Sequence, residues 1–248
     1  MSHAARLVST LLLCLCASLA QAEQLRVAVA SNFSDVLAQI GQRFTAASGH
    51  ELLLSPGASG TIYTQIVNGA PFDLFFSADE ERPQRLQQEG YAVGIGVRVY
   101  AEGKLLLWSS DPARVDAEGN VLKSAEWRHL AIANPAQAPY GLAAREALQQ
   151  LGLWDTAQPR LVQGENITQT LQFVQSGNAE LGFIAASQYA ALPQGGRGSV
   201  WQVPAALHSP IRQAFVVLKD TPASQALVEF LESPEARELI ERSGYSLP

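Results

Sequence analysis

Between Leu25 and Phe44 the apolar positions change period. Leu25, Val27 and Val29 alternate, as on a strand with one covered face, whereas Phe33, Val36, Leu37, Ile40 and Phe44 repeat at the spacing of an amphipathic helix. The switch falls at Ala30-Ser31-Asn32. Ser31 and Asn32 stand where an N-cap is expected, and the first N–H groups of a helix find no partner inside it. An anion placed there gains hydrogen bonds and the positive end of the helix dipole. Ordinary capping explains a single such pair equally well, so the weight rests on recurrence.

The same change of period returns along the chain. Glu51 to Leu54 reads as a strand, Pro56-Gly57-Ala58 as a turn, and Ser59-Gly60-Thr61 opens a helix carrying Ile62, Ile66 and Val67. Phe72 to Phe76 reads as a buried strand leading to Ser77-Ala78-Asp79 and a charged helix stopped by Gly90, with Asp79 as its cap. Two extended runs, Gly96 to Tyr100 and Lys104 to Trp108, flank Ala101-Glu102-Gly103, where a change of lobe is expected. After a polar loop from Ser109 to Trp127, strand His129 to Ala133 leads through a Pro-containing loop to a helix opened by Tyr140-Gly141. Leu161 to Gln163 then leads to Gly164-Glu165-Asn166-Ile167 and a further helix, and Leu181 to Ala185 to a helix from Ser187. A second crossing is expected near Pro204 and Pro210, before strand Gln213 to Leu218 and two closing helices, the last capped by Ser233 and ended by Gly244. Strands alternating with helices predict α/β layers with mostly parallel sheets, whose ligands sit beyond the carboxyl ends of the strands. Four polar turns, at Ser31-Asn32, Ser59-Gly60, Tyr140-Gly141 and Asn166-Ile167, then share one edge.

Composition narrows the class. Arg6 followed by the apolar run Leu7 to Ala20, with small Ala20 and Ala22 around Gln21, reads as a secretory signal peptide over residues 1–22 cut after Ala22. The run is shorter than the roughly 20 residues that span a bilayer. Both cysteines, Cys14 and Cys16, lie inside it, so the mature chain is expected to carry no disulfide, which fits a bacterial periplasm. The remaining 226 residues hold 16 basic and 23 acidic side chains, and no basic stripe with interleaved aromatics suggests nucleic acid. An acidic chain that takes an anion must use local dipoles. None of the four turns contains Arg or Lys, and a shell of neutral donors suits a small, fully ionised anion whose oxygens all accept. Hydrogen phosphate would need an acceptor on the protein, for which Glu165 is the nearest candidate.

Other chemistries fit less of the pattern. Ser59 lies in G-x-S-x-T, not the G-x-S-x-G of a nucleophile elbow, and a secreted serine hydrolase would also need a base from His50, His129 or His208, none in a recognisable motif. Glu80 and Glu81 read as first-turn residues, since no His or Cys stands near them to complete a metal site. The GGRG at 195–198 lacks the lysine and the strand-helix setting of a phosphate loop, and the Asn166-Ile167-Thr168 sequon is discounted beside a bacterial leader. A purely structural or adhesive module remains the alternative that binds no small ion.

Taken together, SNF before the first helix, the ASGT turn, PFDLFFSAD, APYGLAAREAL, LGLWD, GENI and ELGFIA resemble the periplasmic molybdate-binding proteins of ABC importers over the whole mature chain. The resemblance implies a two-lobed type II periplasmic-binding fold, with lobe 1 in residues 23–101 and 207–248, lobe 2 in 102–206, and the ligand in the cleft between them. It further implies molybdate or tungstate as ligand, delivery to a membrane permease, a monomeric carrier, no reaction and no cofactor. Carried over by position, the oxyanion contacts fall on Ser31 with Asn32 beside it, Ser59 with the Gly60 amide, and the backbone N–H groups of Tyr140 and Ile167. Such a shell would hold molybdenum only as the bound oxyanion. Some members add a tyrosine hydroxyl where this chain has Ala185, and Asn32 is expected to replace that donor. Selectivity against sulfate is expected from cavity size, and a sulfate carrier is the alternative within the fold.

Overall fold

The computed structural model describes residues 22–124 and 126–248; the leader lies outside the described residues apart from Ala22. The first sheet begins with β1 (Gln24–Ala30), followed by α1 (Ser34–Ser48), β2 (Glu51–Gly57), α2 (Ser59–Val67), β3 (Leu74–Ser77) and α3 (Glu81–Gln88). Parallel β1, β2 and β3 form one half of it. β4 (Val93–Gly103) and the late strand β10 (Ile211–Val217) complete the order β2-β1-β3-β10-β4, with β10 antiparallel to both neighbours. The helices α8 (Pro222–Leu231) and α9 (Pro234–Arg242) return to this unit.

The second sheet has the same plan. From β5 (Leu105–Ser109) the chain passes to β6 (Leu130–Ala133), α4 (Pro139–Gln150), α5 (Trp154–Ala157), β7 (Leu161–Gly164), α6 (Ile167–Gln175), β8 (Leu181–Ala185), α7 (Ala186–Ala191) and β9 (Ser199–Gln202). Its order is β7-β6-β8-β5-β9, parallel on the β6 side and antiparallel around β5. Each sheet is therefore mostly parallel, as the alternation of elements predicts, with one reversed strand, β10 in the first and β5 in the second. The reason is connectivity. β5 and β10, the strands that enter a sheet from a crossing, arrive without a helical crossover and so are free to run antiparallel. The chain leaves the first sheet after Gly103 and enters the second at Leu105, then returns between Gln202 and Ile211.

Both faces of each sheet are covered, which is why the central strands are apolar throughout. Val27 and Val29 of β1 face α1, α8 and α9, while Ala28 faces Ile62 and Ile66 of α2 and Leu86 of α3. In the second sheet Leu130 and Ile132 pack beneath α4, and Ala131 packs against Val174 of α6. Ala30, Ala58 and Ala78, each at the end of a strand of the first unit, join the core of the second. The two units thus meet along the carboxyl edge of their parallel strands.

Two local departures from the sequence pattern have clear causes. β2 continues through Pro56 and Gly57, paired with Val29 and Ala30, instead of turning there. As the edge strand it has no neighbour to miss the absent proline N–H. The first helix is capped at Phe33, not at Ser31 or Asn32, and starts at Ser34. Phe33 is fully buried, 4.5 Å from Tyr100 and 5.5 Å from Tyr245 between ring centroids, and that anchoring holds residues 31–33 in a turn ahead of the helix.

Candidate anion site

The four polar strand-to-helix turns converge. Ser31 and Asn32 after β1, Ala58 and Ser59 after β2, Tyr140 at the start of α4, and Asn166 and Ile167 at the start of α6 line one small hollow with a volume of about 10 Å³. On this measure that is the space of roughly one water molecule. Ala78, from the turn after β3, lines it as well. Among the described residues no Asp, Glu, Lys or Arg does. A larger crevice of about 440 Å³ runs along the same seam and shares Ser31 and Asn32 with the hollow.

Each turn leaves donors over for a reason that the local geometry supplies. Ser59 and Ile167 are the first residues of their helices and Tyr140 the second, so their N–H groups precede any intrahelical acceptor. Pro139 at the start of α4 has no N–H to compete. The Asn166 carboxamide caps α6 by accepting from the N–H groups of Thr168 and Gln169 at 3.0 Å each, which leaves that of Ile167 over. Among the described residues, no backbone or side-chain acceptor takes the N–H of Asn32, Ser59, Tyr140 or Ile167. The Ser59 hydroxyl, 1% exposed, accepts the Ala78 N–H at 3.0 Å, so its own proton is left to donate. The Ser31 hydroxyl has no protein partner among the described residues, whereas its N–H is occupied by the Gly57 carbonyl at 2.9 Å.

Two candidates take other work. The Asn32 carboxamide donates to Gln213 Oε1 at 2.8 Å and to the Tyr245 hydroxyl at 2.9 Å, so it is occupied within the protein, and what Asn32 offers the hollow is its N–H. The Gly60 N–H donates to the Gln137 carbonyl at 2.9 Å, and Gly60 does not line the hollow. Glu165 is exposed and lies outside the lining, so no acceptor of that kind enters. Ala185 is fully buried and also outside it. Among the described residues no histidine hydrogen-bonds to the Ser59 hydroxyl, whose partner is the Ala78 N–H. Glu80 is paired with Arg212 at 2.8 Å, and among the described residues no group of three His, Cys, Asp or Glu comes together.

Beneath the hollow lies a buried polar network that the sequence reading missed. Gln213 Oε1 also accepts from the Tyr100 hydroxyl at 3.0 Å, and Gln213 Nε2 donates to the Tyr140 hydroxyl at 3.1 Å. The Ser187 hydroxyl donates to the Asn32 carbonyl at 3.0 Å. Burial pushes the phenols of Tyr100, Tyr140 and Tyr245 up from their ordinary range, so all three stay protonated. A signal for this network exists: Gln213 is the polar residue among the buried positions of a strand whose other polar residue, Arg212, is exposed. The Ser77-Ala78-Asp79 turn was legible as a fifth junction of the same type, although its alanine offered no polar side chain to notice.

An edge of uncharged donors around one compact hollow, between two sheets joined by two crossings, defines a carrier of a small solute. The family model of bacterial extracellular solute-binding proteins matches residues 25–246. The chain is 47% identical over 245 residues to the molybdate-binding protein ModA of Azotobacter vinelandii, covering 98% of this chain and 97% of that one. It is likewise 47% identical over 229 residues to ModA of Rhodobacter capsulatus, at 91% and 89% coverage. The structure of the Azotobacter vinelandii periplasmic molybdate-binding protein superposes with a TM-score of 0.85 at 43% identity, over 90% of this chain and 99% of that one. The chain belongs to the extracellular solute-binding proteins, in the family of the molybdate-binding proteins.

Proposed function

We propose that the chain captures molybdate, and tungstate with it, in the periplasm and hands it to the membrane permease of an ABC importer, acting as a monomer and catalysing no reaction. The observation that carries this reading is the meeting of unpartnered, uncharged donors from four junctions at one hollow, together with 47% identity to two molybdate carriers. The ligand shell in this reading is the Ser31 and Ser59 hydroxyls and the N–H groups of Asn32, Ser59, Tyr140 and Ile167. Gly60 and the Asn32 side chain stand outside it. A doubly charged tetrahedral anion accepts at every oxygen, and the absence of a carboxylate from the lining among the described residues disfavours hydrogen phosphate.

In this reading residues 23–101 and 207–248 move as one lobe and residues 102–206 as the other, about the two crossings. The anion draws donors from both and so favours the closed form, because only that form offers the whole shell. The leader, cut after Ala22, accounts for export. The small volume of the hollow favours sulfate as the rival ligand, since sulfate is the more compact tetrahedral dianion.

Calorimetric titration of ligand-free protein with molybdate, tungstate, sulfate and phosphate tests both. Molybdate and tungstate are expected to bind one per chain, with sulfate and phosphate far weaker. Tighter binding of sulfate would make this a sulfate carrier, and no binding of any of the four would remove the anion reading.

A further inference from the structure

The two units also touch at the rim of the hollow, through contacts that the anion shell does not use. The loop between β6 and α4 is folded by Asn134: the Ala136 N–H donates to its side-chain oxygen at 2.9 Å, and the N–H groups of Gln137 and Ala138 donate to its carbonyl at 3.0 and 2.8 Å. With these N–H groups satisfied within the loop, two consecutive carbonyls, of Ala136 and Gln137, are met by donors from the other unit. Arg82 Nη2 of α3 donates to the Ala136 carbonyl at 3.1 Å, and the Gly60 N–H of α2 donates to that of Gln137 at 2.9 Å. The other amino group of Arg82 is paired with Asp79, which also accepts the Arg82 N–H at 3.0 Å from one residue ahead of Glu80, the N-cap of α3 in place of the expected Asp79. The guanidinium is thereby fixed on its own unit while reaching across to the other.

Close approach is built into the sequence here. A Cβ on Gly60 would stand 2.4 Å from Gln137 Oε1, 2.9 Å from Arg82 Nη2 and 3.1 Å from the Gln137 Cα. Any larger residue at 60 holds the loop away.

Resting on the carrier reading above, we infer that Arg82 and Gly60 form a latch between the lobes, holding the closed form by gripping the Ala136 and Gln137 carbonyls without touching the anion. Arg82 is a positioning residue. Its planar fork serves Asp79 and the carbonyl together, which a lysine cannot do with the same geometry. Separating the lobes breaks both cross-unit bonds, so the latch acts on the closed state alone. It slows release and leaves the encounter with the anion unchanged.

The test compares wild type with Arg82→Gln and Arg82→Lys. Fluorophores on N68C, just past α2, and Q150C, at the end of α4, both exposed positions in a mature chain expected to carry no other cysteine, report closure by energy transfer in single molecules. With the anion that the wild type binds, both variants are expected to show a smaller closed fraction and to release the anion roughly tenfold faster, with unchanged association. Loss of the Asp79 pair in Arg82→Gln lowers melting with and without anion alike, and in both variants anion-saturated melting should fall further than ligand-free melting. Equal closed fractions in wild type and variants would overturn the latch, as would equal loss of melting temperature with and without anion, the mark of a permanent structural contact. If the wild type binds none of the four anions the carrier reading fails by itself, and the closed fraction of ligand-free molecules still scores the latch.

Discussion

The phenol of Tyr140 and the carboxamide of Gln213 meet across the two units, over a glycine that leaves them room: a Cβ on Gly103 would stand 2.1 Å from the Tyr140 hydroxyl and 2.7 Å from Gln213 Nε2. Gly103 is the last residue of β4 before the chain crosses to the second sheet. Tyr140 therefore faces two ways, with its hydroxyl on the network beneath the hollow and its N–H on the hollow itself. Gln213 holds Asn32 in the same way, from its other end. The network fixes the backbone of two junctions at once.

That arrangement separates two substitutions. Gln213→Leu leaves one Asn32 amide proton and the Tyr140 phenol without a partner in a buried site, while Tyr100 keeps the Ser77 carbonyl at 3.2 Å, and a loss of about 1–3 kcal/mol in urea unfolding is expected, together with weaker anion binding. Tyr140→Phe keeps the N–H but leaves the buried Gln213 Nε2 without its acceptor, so stability should fall by about 1–3 kcal/mol with affinity preserved. A large affinity loss in Tyr140→Phe, measured by calorimetry, would show that the hydroxyl and not the N–H serves the ligand.

Ser59→Ala is expected to weaken anion binding by about 1–3 kcal/mol, or roughly 5- to 150-fold, through loss of one donor in a dry site. It also leaves the Ala78 N–H without its acceptor, so ligand-free protein should melt lower as well. Unchanged affinity in the variant would take the Ser59 hydroxyl out of the shell.

Much of this was legible because one signal repeats. A period-two run, a small polar turn and a period-3.6 run recur at β1–α1, β2–α2, β6–α4 and β7–α6, and in α/β layers all such turns fall at the carboxyl edge of the parallel strands. Four of the six proposed contacts, Ser31, Ser59, Tyr140 and Ile167, line the hollow with the predicted group left over. What was not legible depends on distant partners. Nothing near residue 32 in the chain announces that its carboxamide belongs to Gln213 and Tyr245, more than 180 residues away. Nothing near residue 60 reveals that the Gln137 carbonyl takes its N–H. The one reversed strand in each mostly parallel sheet, β10 and β5, was not legible for the same cause, since strand direction after a crossing is set by where the chain returns and not by any local pattern.

Binding should be insensitive to pH across the neutral range. The donors around the hollow are amides and serine hydroxyls, and no ionisable side chain lines it except the Tyr140 phenol, which burial pushes up and which Gln213 contacts. Affinity is expected to stay flat from about pH 6 to 9, below the ordinary tyrosine range near 10. Stability behaves differently at the alkaline end. The phenols of Tyr100, Tyr140 and Tyr245 have raised folded values, so the unfolded chain loses these protons first, and the stability they contribute is intact below about pH 10 and falls as pH rises beyond it. Calorimetry across the neutral range and melting above it check the two halves; a titrating step in affinity near neutrality would reveal a charged group in the shell.

Gly141 makes the most direct link between packing and site. It is the third residue of α4, and a Cβ there would stand 2.2 Å from the Ala133 carbonyl oxygen and 2.7 Å from its carbon, both backbone atoms of β6. Helix propensity alone would make Gly141→Ala stabilising by about 1 kcal/mol. Here the strand cannot yield as a flexible side chain would, so α4 must shift, at a net cost of about 1–3 kcal/mol by analogy with overpacked cores. Because the Tyr140 N–H rides on the same turn, the shift carries it away from the other donors, and anion affinity should fall along with the melting temperature. Gly195→Ala, with nothing within 4 Å of its Cβ, serves as the control and should change neither. If Gly141→Ala lowered the melting temperature while leaving affinity at the wild-type value, the Tyr140 N–H would not be a contact of the bound anion.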